Sequence, residues 1–121
     1  MKKILIVDDN VAMLRLYQFH FKSRGWEGHL FEDGNDAIAS LEEFKPDVAI
    51  LDYDLKGMFG TDVFAAVSDK FGEGMIPVIF ITAQIRSEVK EELQALPNAS
   101  ILNKPFSPAH LVQAIDALFE E

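Results

Sequence analysis

Five short apolar runs alternate with five longer amphipathic stretches along the 121-residue chain, with no low-complexity linker between them. Such alternation marks a parallel α/β sheet, because neighbouring strands that run the same way need a crossover, usually a helix, to connect them. The predicted strands are 3–8, 26–31, 47–52, 77–82 and 99–103, and the predicted helices are 11–24, 35–44, 61–71, 87–96 and 108–119. The punctuation agrees: Gly25 closes the first helix, Asp33-Gly34 turns into the second, Thr61 and Ser87 are candidate caps of the third and fourth, and Ser107-Pro108 sets a cap before a proline at the first helical position.

A strand buried on both faces reads as continuously apolar, whereas an edge strand alternates or is short. ILIV, VAIL and VIFI are therefore the inner strands, and WEGHLF and SIL the edges. With right-handed crossovers this gives a doubly wound, five-stranded parallel sheet of order 2-1-3-4-5 with helices on both faces. Ligands of such sheets bind beyond the carboxyl ends of the strands, beside the switch point between the first and third.

Composition narrows the function. A chain of this length, 49% hydrophobic and 26% charged, is expected to be one domain, 1–121, with room for one core and one cleft. Twenty acidic against eleven basic side chains give a formal charge of −9, which repels nucleic acid and anionic membranes and favours a cation or a basic protein patch. The chain has no cysteine, and His20, His29 and His110 lack zinc-ligand spacing. No apolar run approaches the length of a membrane span or a signal-peptide core, so a cytoplasmic protein is expected.

The residues that end the predicted strands converge on one rim: Asp8 with Asp9, Asp52 with Asp54 close behind, Thr82, and Lys104 after the fifth strand. Two like charges about 4 Å apart repel by roughly 4 kcal/mol at a protein-surface dielectric, so converging carboxylates need a counter-charge or a proton. Oxygen donors without histidine or cysteine suit Mg²⁺. Singly, each of these residues also reads as a strand terminator, a turn residue or a solvated lysine; their joint placement is what points to a site.

The stretches KILIVDDN, FEDGNDAIASLEEFKPDVAILDYDL, Gly60 eight residues after Asp52, PVIFITA and NKPF together resemble the receiver domain of two-component response regulators over essentially the whole chain. The resemblance implies a flavodoxin-like fold, close to the chemotaxis regulators, and a phosphoacceptor rather than an enzyme, with slow autodephosphorylation at most. By motif position Asp52 takes the phosphoryl group from a sensor histidine kinase or a histidine phosphotransfer protein. Asp8, Asp9, Asp52 and the backbone carbonyl of Asp54 match the Mg²⁺ ligands, and Thr82 and Lys104 the groups that contact the phosphoryl oxygens. A downstream protein or output domain is the implied reader, and the Lys104–Pro105 bond is expected to be cis. The predicted fifth helix has no lysine or arginine, which argues against the charged fifth-helix dimer of some regulators and for a monomer or weak dimer.

The chain departs from the family pattern at three positions. Ile101 stands where an aromatic switch residue is usual, Lys56 where proline is frequent, and Phe59 where an acid is frequent, so the loop after Asp52 is open to a different shape that exposes an apolar contact, the simplest expectation for Phe59 being core packing. Asp54 and Gln84 fall at positions resembling those that tune phosphoryl lifetime. The alternative reading is a haloacid-dehalogenase-type phosphatase using Asp52 as nucleophile and Asp54 as acid and base, since ILDYDLKG resembles that motif. Against it, that motif belongs on a first strand, is usually followed by Gly-Thr rather than Leu-Lys, and serves longer chains.

Overall fold

The computed structural model describes residues 2–83 and 86–119. Five parallel strands, β1 (Lys3–Val7), β2 (Glu27–Phe31), β3 (Val48–Asp52), β6 (Val78–Thr82) and β7 (Ala99–Asn103), form one sheet in the order β2-β1-β3-β6-β7. Two further strands, β4 (Asp54–Leu55) and β5 (Met58–Phe59), pair with each other as an antiparallel hairpin. Counting the five long strands alone, the order is the predicted 2-1-3-4-5, with β2 and β7 at the edges.

Alternation along the inner strands divides the core in two. Leu5, Val7, Ala49, Leu51, Val78 and Phe80 face α2 (Gly34–Ser40), α3 (Gly60–Phe71) and α4 (Ser87–Gln94). Ile4, Ile6, Val48, Ile50, Ile79 and Ile81 face α1 (Val11–Ser23) and α5 (Pro108–Leu118). The far end of α1 is tied to α5 by Arg24, whose guanidinium nitrogen donates to both Asp116 oxygens at 2.7 and 2.6 Å.

The helix ends follow local chemistry. Asp33 caps α2, accepting from the Asn35 N–H at 2.7 Å, and Ser107 caps α5, accepting from the His110 N–H at 3.2 Å. Gly25 ends the first helical segment at φ 73. Four expectations need correction. The helix predicted to 44 stops at Ser40, because Leu41, Glu42 and Glu43 donate three residues back and tighten into turns. Thr61 does not cap α3: the cap position is Phe59, and Asp62 Oδ2 accepts the Phe59 N–H at 2.9 Å. Ser87 is the first residue of α4, after Arg86. Trp26 precedes β2 instead of opening it, and packs in the core against Phe21.

Candidate phosphoacceptor site

Register places the site. Val7 pairs with Leu51 and Asp52 with Ile81, so Asp8 and Asp52 emerge side by side from neighbouring strands and Thr82 emerges next to them on β6. The backbone ladder carries on past the strand ends: the Asp8 N–H donates to Phe31 O, and the Lys104 N–H to Thr82 O at 2.8 Å. Asp8, Asp52 and Thr82 are all buried, at 0%, 4% and 1% exposure.

Hydrogen bonds fix the two inner carboxylates. Asp8 Oδ1 accepts the Asn10 N–H at 2.9 Å, and Asn10 in turn caps α1 through the Met13 N–H. Asp52 Oδ1 accepts the Asp54 N–H at 3.2 Å, while Asp52 Oδ2 accepts from Lys104 Nζ at 2.9 Å. Burial pushes the Asp52 pKa up, and the neighbouring Asp8 adds to this, outweighing the pull of Lys104 and of the Asp54 N–H in the other direction. Burial works against the Lys104 ammonium, yet its bond to Asp52 and the charges of Asp8 and Asp9 hold its pKa above the ordinary lysine value. The two rise for different reasons, Asp52 chiefly by burial and Lys104 by its acidic neighbours.

Asp8, Asp9 and Asp52 each offer an oxygen within 4.8 Å of the others. Asp8 Oδ2 is buried with no hydrogen-bond partner among the described residues. Three carboxylates against one ammonium leave a deficit equal to the charge of one divalent cation. The donors are all hard oxygens, so the cluster fits a magnesium-type ion.

The loop after Asp52 is shaped by close approach. A Cβ on Gly60 would collide with the Asp52 carbonyl oxygen, and the Gly60 N–H donates to Tyr53 O at 2.8 Å. The β4–β5 hairpin turns through Lys56 and Gly57, with Gly57 at φ 76. Phe59, expected in the core, is 51% exposed: it stands at the α3 cap and lies beside the Tyr53 ring, while Leu55 takes the inward place. Ile101 pairs with Phe80 across β6 and β7 and packs, partly buried, on the α4 side of the core. Asp54 is exposed, with its backbone against Asp52. The Lys104–Pro105 bond is cis. Gln84 lies outside the described residues. Asp52 ends the third strand in chain order, unlike the nucleophile of the phosphatase alternative.

Two residues of this region gave no functional signal in the sequence. Asn10 looked like part of a motif and proves to join Asp8 to α1. Tyr17 has no signal of its own in the sequence; the structure buries it and sets it with Asn10 and Lys104 around one cavity.

The response regulator receiver domain model matches residues 4–116, and the chain belongs to that family. Among solved structures, the chain is similar to the chemotaxis protein CheY4 of Vibrio cholerae, with 27% identity, a TM-score of 0.89, and coverage of 98% of this chain and 99% of that one. A CheY-like receiver domain protein from Methanospirillum hungatei is 26% identical with a TM-score of 0.85, covering 98% of this chain and 93% of that one. The receiver domain of a sensor histidine kinase from Pseudomonas aeruginosa is 26% identical with a TM-score of 0.81, covering 96% and 95%. That structure has a magnesium ion coordinated in its active-site cleft. Among the described residues of the present chain no helix is long and apolar enough to cross a membrane.

Proposed function

We propose that Asp52 is the phosphoacceptor of a two-component signalling switch, taking its phosphoryl group from a phosphohistidine on a sensor kinase or phosphotransfer protein. One observation carries this reading: a single buried carboxylate lies both within the acidic cluster and 2.9 Å from a lysine ammonium. An oxygen of Asp52 attacks phosphorus, the P–N bond breaks, and its electron pair stays on the departing imidazole nitrogen. Such a transfer asks the protein for alignment and neutral surroundings more than for covalent chemistry.

Asp8, Asp9, Asp52 and the carbonyl of Asp54 are the groups that would hold Mg²⁺, as the similarity to the magnesium-bound Pseudomonas domain also suggests. Bound there, the ion would supply charge neutralisation at the transferred oxygens. Lys104 exchanges the Asp52 carboxylate for a phosphoryl oxygen, and the Thr82 hydroxyl approaches another. Thr82 ends the strand that leads into α4 and Lys104 follows the strand that leads into α5, so their movement alters the surface formed by α4, β7 and α5, which a downstream protein or output domain reads. The whole chain, 1–121, acts as this one receiver unit in the cytoplasm, monomeric or weakly dimeric. It is a stoichiometric acceptor with slow loss of phosphate, not a turnover enzyme.

Incubation with acetyl phosphate and Mg²⁺ is expected to add one acid-labile phosphoryl group per chain, detected by intact mass. Asp52→Asn and parent protein in chelator should stay unmodified. Equal labelling of Asp52→Asn, or steady turnover of a phosphate ester by the parent, would contradict the assignment.

A further inference from the structure

Tyr17 sits on the second turn of α1, and helical side chains lean toward the N-terminus of their helix, here toward the acidic rim. Its ring lies near-parallel to those of Phe21 and Phe106, with centroids 6.5 and 6.2 Å away. Together with Asn10, Met13, Lys104, Pro105 and Phe106 it lines a cavity of about 260 Å³ beneath the rim. The residue is 1% exposed, and its hydroxyl has no hydrogen-bond partner among the described residues. The same is true of Asp8 Oδ2. Buried polar groups are ordinarily paired; a third orphan, Gln18 Oε1, lies on the β2 side near Gly28, which leaves the Tyr17 hydroxyl and Asp8 Oδ2 as a donor and an acceptor that call for a common explanation. A phenylalanine would satisfy the stacking alone.

We propose that Tyr17 is a positioning residue of the acidic cluster, its hydroxyl donating to Asp8 in the cation-loaded site and so fixing how that carboxylate faces the ion. The assignment rests on the magnesium reading above. Three features support it. The side chain is buried and packed near-parallel to two other rings, so it has little freedom to lose on pairing. A phenol is an unionised donor at neutral pH, and burial first, then the charges of Asp8 and Asp52, push its pKa further up. Asp8 Oδ1 is already engaged by the Asn10 N–H, so a second donor at Oδ2 would complete the orientation of a metal-binding carboxylate, the task that partners of metal ligands commonly perform.

Titration calorimetry of magnesium chloride into the parent and Tyr17→Phe, alongside urea unfolding of both in chelator, tests this. The variant keeps the stacked ring and loses only the hydroxyl. The expected result is Mg²⁺ binding weaker by about tenfold, with a urea midpoint equal to the parent's or higher. Affinity within twofold of the parent overturns the proposal, and so does weaker binding accompanied by a lower urea midpoint, which would make Tyr17 structural. A parent that binds no Mg²⁺ removes the magnesium reading itself, and this proposal with it.

Discussion

Along β1, β3 and β6 four consecutive residues are apolar and shut off from solvent: Ile4 to Val7, Val48 to Leu51, and Val78 to Ile81. The next residue in each case is Asp8, Asp52 or Thr82, equally shut off and polar. The strand bodies bury hydrocarbon between two helical layers, which stabilises the fold in proportion to the area removed from water. Their carboxyl ends bury carboxylates and a hydroxyl, which is unfavourable unless partners are supplied, and at Asp8 Oδ2 the described residues supply none. One ladder thus positions both, with stability in the bodies and reactivity at the tips. The rigidity of the first holds the second in register.

That division predicts opposite responses to truncation and to neutralisation. The largest effect is expected in a strand body. Ile50 is fully buried between β1 and β6 on the α1–α5 face, so Ile50→Ala should lose about 2–5 kcal/mol in urea unfolding. Loss well below that range would mean that the inner strands do not carry the fold.

At a tip the sign reverses. Burial first, and Asp8 second, raise the Asp52 pKa in the folded protein above its ordinary value. The stability tied to this group is therefore full below the ordinary carboxylate range. It is lost as pH rises through that range to the raised value, because the unfolded chain releases its proton first. In chelator, Asp52→Asn lacks this loss. The variant should be more stable than the parent at pH 7, by a small margin because Lys104 gives up a partner, and the margin should shrink toward pH 4. Paired urea titrations across that interval provide the check, and a variant less stable at pH 7 would show that the Lys104 ion pair outweighs the burial.

Much of this contrast was legible in the amino-acid sequence. ILIV, VAIL and VIFI announce buried parallel strands by their unbroken hydrophobicity, and the interrupted WEGHLF announces an edge. The groups that meet at the rim were legible for the same reason: a residue that ends an inner strand must lie beside those that end its neighbours. The β4–β5 hairpin was not, since strands of two residues are too short to show a period. Phe59 was misplaced because hydrophobicity alone does not say whether a loop residue turns in or out, and here the cap geometry of α3 and the turn at Gly57 turn it out. Tyr17 was hidden for a different reason. Its spacing on α1 is that of a core aromatic, and the ring is indeed core. Only the buried hydroxyl is left over by core packing, and a helical pattern carries no information about that end.

Chemical mapping of the phosphorylated residue tests the central claim most directly. Reduction of the acetyl-phosphate-treated protein with borohydride converts an acyl phosphate on aspartate to homoserine, which peptide mass spectrometry can locate. Homoserine at position 52 alone is the predicted result. Homoserine at position 8, 9 or 54, or none after confirmed phosphorylation, would contradict the assignment of Asp52 as the carboxylate that the strand ends, the acidic cluster and Lys104 together prepare for a phosphoryl group.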